Sequence, residues 1–125
     1  MIYGIGTDIT EVRRFERWVR APGMCARFFS RGEIMEHGSL SARCQHYAVR
    51  FAAKEAFSKA LGTGISFDLR DVSVGKDSDG RPFLSVTGSA MELMRSRCGD
   101  CTLHVSLSHE REYAVATVII EKTEK

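Results

Sequence analysis

The segment from about residue 41 to residue 61 restricts the fold more than any other part of the chain. It contains neither glycine nor proline, carries Ala48, Ala52, Ala53, Ala56 and Ala60, and sets Tyr47, Phe51 and Phe57 at positions suited to packing. That pattern predicts one long helix. Gly62-Thr63-Gly64 ends it, with glycine where a left-handed cap is commonly needed. A chain of 125 residues has room for one core around such a helix, so a two-domain enzyme is excluded. Chains of this length bury roughly two-thirds of their unfolded surface and fold without a metal or disulfide staple. The hydrophobic fraction of 43% likewise excludes disorder. What the chain lacks is spare concave surface, so an enzyme needing a deep two-substrate cleft is expected to build it at a subunit boundary.

The flanking segments predict strands and short helices. Residues 2–9 read as a short buried strand in which Gly4 and Gly6 permit close backbone approach, and residues 10–20 read as an amphipathic helix with Val12, Phe15 and Val19 on its apolar face. Pro22-Gly23 ends that helix. Residues 24–37 predict one or two helical turns, with Ser30 as an N-cap and Glu33 three residues on. Residues 72–75 and 83–87 read as strands joined across Asp77-Ser78-Asp79-Gly80, residues 89–97 as a short helix, and residues 102–108 and 113–121 as a second hairpin. The expected fold class is α+β: a single domain over residues 1–125, with a largely antiparallel sheet packed against one long central helix and shorter helices.

Charge and cysteine usage narrow the partners. Eighteen basic side chains against sixteen acidic ones give +2, which implies no whole-protein attraction to nucleic acid or membrane. The excess is local: residues 1–31 carry six arginines against Asp8, Glu11 and Glu16. Arg13, Arg17 and Arg20 are spaced to share one face of the predicted helix, with Arg14 beside them. This block suits an acidic protein surface, a phosphate ligand or water alone. Cys25, Cys44, Cys98 and Cys101 are too scattered for the disulfide framework of a small secreted domain. No signal-peptide pattern opens the chain, and no apolar run approaches the roughly 20 residues of a membrane helix. A reduced, cytoplasmic protein is expected.

Four constellations carry possible chemistry. Glu55 and Lys59 lie four apart, acid first, which puts carboxylate and ammonium on one helix face. Spacing alone is met by a surface ion pair, but the surrounding helix is apolar, and a carboxylate and an ammonium on a rigid helix suit magnesium and a phosphate oxygen respectively. Asp8 ends the first strand and serves either this site or a capping box with Glu11. Gly4-Ile5-Gly6 lacks the third glycine of a dinucleotide fingerprint. Val105-Ser106-Leu107-Ser108-His109 ends a strand with two hydroxyls and an imidazole, without the glycines of a nucleophile elbow. Cys98-Gly-Asp-Cys101, with His104 nearby, has redox or zinc spacing but supplies too few ligands for a structural zinc site.

In chain order, Ile5-Gly6-Thr7-Asp8-Ile9, Arg50-Phe51-Ala52-Ala53-Lys54-Glu55-Ala56-Phe57-Ser58-Lys59-Ala60-Leu61-Gly62-Thr63-Gly64-Ile65 and Val105-Ser106-Leu107-Ser108-His109 resemble the holo-[acyl-carrier-protein] synthases, the small bacterial-type 4'-phosphopantetheinyl transferases. The resemblance covers essentially the whole chain, including the Asp79-Gly80-Arg81-Pro82 turn. The cysteine pair and residues 38–46 stand outside it. It implies transfer of phosphopantetheine from coenzyme A to a serine of an apo-acyl carrier protein, leaving adenosine 3',5'-bisphosphate. Asp8 and Glu55 match the magnesium ligands. Lys59 matches the lysine that neutralises phosphate or assists proton transfer, and Glu55 would help deprotonate the serine directly or through a metal-bound water, with the base left open between the two. Gly62, Thr63 and Gly64 would present amides and a hydroxyl to coenzyme A, with His109 near the nucleotide phosphates. Arg13, Arg14, Arg17 and Arg20 would receive the acidic carrier protein. The resemblance further implies a homotrimer with active sites between subunits, and no nucleic-acid or membrane partner. Two other classes remain: a nucleic-acid module using the arginines of residues 13–31, and a thiol or zinc protein using Cys98 and Cys101.

Overall fold

Gly4 and Gly6 decide how the first strand meets the long helix. In the computed structural model, which describes residues 1–123, strand β1 (Ile2–Glu11) lies directly on helix α2 (Leu40–Leu61). A Cβ on Gly4 would stand 1.9 Å from the Ala60 carbonyl oxygen, and one on Gly6 would stand 2.0 Å from that of Ala56. Only glycine against alanine allows this approach. Of the domain expected over residues 1–125, the last two residues lie outside the described ones.

The chain order is β1, α1 (Glu16–Arg20), α2, β2 (Val72–Lys76), β3 (Pro82–Val86), α3 (Gly88–Cys98), β4 (Cys101–His109) and β5 (Tyr113–Lys122), with single helical turns between some of these. The fold is α+β, as expected. β1, β5 and β4 form one antiparallel sheet in that order, and β2 with β3 forms a separate hairpin. α2 is apolar on most sides because it is covered on most sides: Ala48, Ala52, Ala53, Ala56 and Phe57 are fully buried. One core cluster joins α2 to both sheets and α3; the other gathers Phe15, Phe29, Tyr47 and Phe51 around its first half. Gly62 caps the helix at φ 84°, its amide donating to the Ser58 carbonyl at 2.9 Å.

Residues 10–20 differ from the expected continuous helix. β1 runs on to Glu11, pairing Thr10 with Ala114 and Glu11 with Tyr113, and the Val12 amide donates to the Glu112 carbonyl at 2.8 Å. Ladder hydrogen bonds to a strand distant in sequence thus override the local helical pattern. A single 3₁₀ turn, Val12–Phe15, and the five-residue α1 follow. Val12 and Phe15 are buried as the apolar spacing required. Asp8 sits inside a strand, so the capping box with Glu11 does not form.

The sheet's far face is unusual. Ile5 and Ile9 are 60% and 64% exposed, and their cross-strand partners Ile119 and Val115 lie beside them. Thr7 and Thr117 share a hydrogen bond of 3.1 Å between the two isoleucine pairs.

Candidate functional site

Because β1 touches α2, Asp8 arrives one helix face from Glu55 and Lys59. The Lys59 ammonium donates to Asp8 Oδ1 and to the Thr7 carbonyl, both at 3.1 Å. Asp8 Oδ2 accepts from the Thr10 hydroxyl at 2.9 Å. Lys59 therefore bridges helix to strand, and the ion pair within the helix that its spacing with Glu55 suggests does not form. The Glu55 carboxylate makes no hydrogen bond or ion pair among the described residues, the residue's backbone carbonyl accepting from the Ser58 hydroxyl at 2.7 Å. Burial, and next the charge of Asp8, push its carboxyl above the usual range, with Lys59 and Arg14 opposing.

Two neighbouring carboxylates, one of them without a side-chain partner and with its ionisation opposed by the other, are a donor set suited to a divalent cation. Among the described residues no group of three or more His, Cys, Asp or Glu side chains is positioned to hold a metal. A cation here would have two protein ligands and complete its shell with water and substrate oxygens, which fits magnesium better than zinc.

The Gly62-Thr63-Gly64 loop is less open than expected. The Gly62 and Thr63 amides both turn back to the Ser58 carbonyl, and the Thr63 hydroxyl donates to the Gly64 carbonyl at 2.9 Å. A helix C-terminus also carries partial negative charge.

His109 is not in this cluster. It ends β4 and lines a cavity of about 480 Å³ with His46, Arg50, Lys76, Pro82 and Leu107. Arg50 Nη1 donates to the His46 carbonyl at 3.1 Å, while its Nε is buried without a partner. His46 Nε2 donates to the Glu33 carbonyl at 2.6 Å, and burial pushes its pKa down. A half-buried guanidinium whose Nε is unused, beside further cationic or imidazole groups, is a place for an anion. His46, Arg50 and Lys76 were not singled out from the sequence. The available signal was His46 and Arg50 at i, i+4 on the long helix, with Lys76 just before a tight turn.

The four arginines are all exposed but do not line one helical face. Arg13 and Arg14 lie in the 3₁₀ turn; Arg17 and Arg20 lie in α1. Arg13 Nε meets Glu11 at 3.5 Å, and the Arg14 guanidinium lies 5.0 Å from the Phe51 ring, beside Glu55's face of α2. The cysteines are free thiols. Burial, then the Cys98 thiol, push Cys101 up to about 12, so it is no thiolate at neutral pH. His104 hydrogen-bonds Glu121 at 2.9 Å instead of joining the pair, so the expected zinc or redox alternative finds no support.

Residues 4–118 match the model of the 4'-phosphopantetheinyl transferase superfamily. A holo-[acyl-carrier-protein] synthase of Treponema denticola is 46% identical over 125 residues, covering 97% of this chain and 99% of that protein. The crystal structure of the Bacillus anthracis holo-(acyl-carrier-protein) synthase, in complex with CoA (3',5'-ADP), superposes with a TM-score of 0.82 at 35% identity, covering 98% and 99% of the two chains. The Helicobacter pylori synthase, in complex with coenzyme A, gives a TM-score of 0.76 at 30% identity, covering 94% and 99%.

Proposed function

The chain belongs to the 4'-phosphopantetheinyl transferase superfamily and within it to the holo-[acyl-carrier-protein] synthases, and on that premise we propose how its own residues carry the reaction. It transfers the 4'-phosphopantetheine group of coenzyme A to a serine of apo-acyl carrier protein, giving the holo-carrier and adenosine 3',5'-bisphosphate.

The observation that carries the assignment of roles is Lys59 bridging to Asp8 with the unpartnered Glu55 one turn away on the same helix. Asp8 and Glu55 would hold Mg2+. The chemistry such an ion supplies when bound is neutralisation of the coenzyme A diphosphate, against which nucleophile and leaving group both build negative charge. Lys59 exchanges part of its hold on Asp8 for a phosphate oxygen. The carrier serine Oγ forms the new bond to the phosphorus that bears pantetheine, and the bond from that phosphorus to the oxygen bridging to the nucleotide breaks. The serine proton passes to Glu55, directly or through a water.

The nucleotide end is assigned to the cavity of Arg50, His46, Lys76 and His109, whose apolar wall at Met35, Val49 and Leu107 suits a base and whose unused guanidinium donor suits a phosphate. The exposed arginine segment receives the acidic carrier, and no observation favours nucleic acid there. Exposed isoleucines across the sheet's far face support self-association, here a homotrimer whose neighbouring subunit closes the cleft beside Asp8 and α2. Fatty acid synthesis in the cytoplasm is the setting this reaction fits. Among the described residues no helix is long and apolar enough to cross a membrane.

Incubating the protein with coenzyme A, Mg2+ and an apo-carrier, followed by intact-mass measurement, tests the reading. One added phosphopantetheine is expected, with none when Mg2+ is chelated. Full conversion in the presence of a chelator would remove the metal from the account.

A further inference from the structure

Helix α2 carries a second lysine whose role the reaction does not explain. Lys54 is 0% exposed, and its ammonium uses all three donors: Glu33 Oε1 at 2.7 Å, the Leu69 carbonyl at 2.9 Å and the Val72 carbonyl. The Phe29 ring covers it at 5.2 Å. Glu33, also 0% exposed, is equally occupied, Oε1 accepting from the Ser30 amide at 2.9 Å and Oε2 from the Val74 amide at 3.0 Å. Apart from the local bond from the Ser30 amide, each of these crosses between segments distant in the chain.

A buried ion pair is a poor way to gain stability, since apolar side chains of similar volume do as well or better. Its bonds are nevertheless specific in a way that apolar packing is not. The β2–β3 hairpin shares no ladder with the three-stranded sheet. Among the described residues, its hydrogen bonds to the N-terminal half of the chain run through Lys54 to Val72, Glu33 to Val74 and the Ser30–Ser73 hydroxyl pair at 2.7 Å. That hairpin brings Lys76 and Pro82 to the cavity, α2 brings Arg50, and the Glu33 carbonyl fixes His46. The Leu69 bond also pins the far end of the loop that begins at Gly62-Thr63-Gly64.

We propose that Lys54 and Glu33 are positioning residues: one buried ion pair sets the register of the β2–β3 hairpin and the 62–69 loop against α2, so that two parts sharing no ladder form one coenzyme A site. The consequence for binding rests on the assignment of the nucleotide to the Arg50–His109 cavity; the consequence for the hairpin does not. Neither residue touches substrate.

The test is the double variant Lys54→Met with Glu33→Leu, which removes both charges together and leaves no orphaned ion. It is expected to fold, with a lowered melting temperature because the Ser30 and Val74 amides and the Leu69 and Val72 carbonyls lose their side-chain partners. KM for coenzyme A should rise about tenfold or more while kcat and KM for the carrier each change by less than about threefold, a split that general destabilisation does not give. Hydrogen exchange at the β2 and β3 amides should quicken while the α2 amides keep their protection. A folded double variant with parental KM for coenzyme A and parental hairpin exchange would overturn the proposal. Should it not fold, Glu33→Gln replaces it, with the same split at about threefold expected and parental values on both readouts decisive against. Lys76→Ala separates the two readings: if it leaves KM for coenzyme A unchanged, the cavity assignment is wrong, and hairpin exchange alone then decides on Lys54 and Glu33.

Discussion

Lys54 and Lys59 sit five residues apart on one helix, each paired with a carboxylate from another segment, and they do opposite things. Lys54 and Glu33 are both 0% exposed and have no unused hydrogen-bonding capacity, so the pair cannot change partners without leaving a buried charge. Lys59 is 52% exposed and Asp8 16%, and the Glu55 carboxylate beside them has no hydrogen-bond or ion-pair partner among the described residues. Solvent access makes that pair exchangeable: a phosphate can compete for the ammonium and a cation for the carboxylates. Identical chemistry therefore serves architecture where it is sealed and reaction where it is open.

The comparison breaks first at the open pair. Asp8→Ala and Glu55→Ala should each lower turnover by about 10³-fold or more, in the range of losing a metal ligand or proton acceptor, with circular dichroism and melting unchanged. Next comes the sealed pair: Lys54→Met alone should cost about 3–5 kcal/mol of stability, because it strands Glu33, as measured by urea unfolding. Lys59→Ala should show the reverse profile, losing about 10²-fold in kcat while stability moves by less than about 1 kcal/mol, the value of an exposed pair. The smallest effect is on Glu55 and pH. Its carboxyl is raised in the folded state, so the folded protein binds its proton more tightly than the unfolded chain. Stability from this group is then lost as pH rises from the unfolded pKa through the folded one, and the cost persists at neutral pH. Glu55→Gln should accordingly stabilise by up to about 0.5 kcal/mol at pH 7 without Mg2+, as measured by urea unfolding.

Local signals made much of this visible in the sequence. The alanine run, the glycines of β1 and the glycine cap specify α2 and its contact with β1, and the motif containing Glu55 and Lys59 lies on that helix. Asp8 joined them only through a resemblance, since its spacing equally suited a capping box. Residues 10–20 misled because helical spacing is local whereas the pairing of Glu11 with Tyr113 is not. Lys54 and Glu33, 21 residues apart, carry no periodic signature, and the anion cavity assembles His46 and Arg50, Lys76 and His109 from three elements. Such sites exist only after packing.

The most direct test of the open pair's role is conversion of apo-carrier to holo-carrier, followed by intact mass across a Mg2+ titration, for the parent and Asp8→Ala. The parent should respond to Mg2+ with a saturating rise in rate, and Asp8→Ala should stay near background at every concentration. If Asp8→Ala converted the carrier at the parental rate with the parental Mg2+ response, the assignment of the Asp8, Glu55 and Lys59 cluster as the reacting centre would be contradicted.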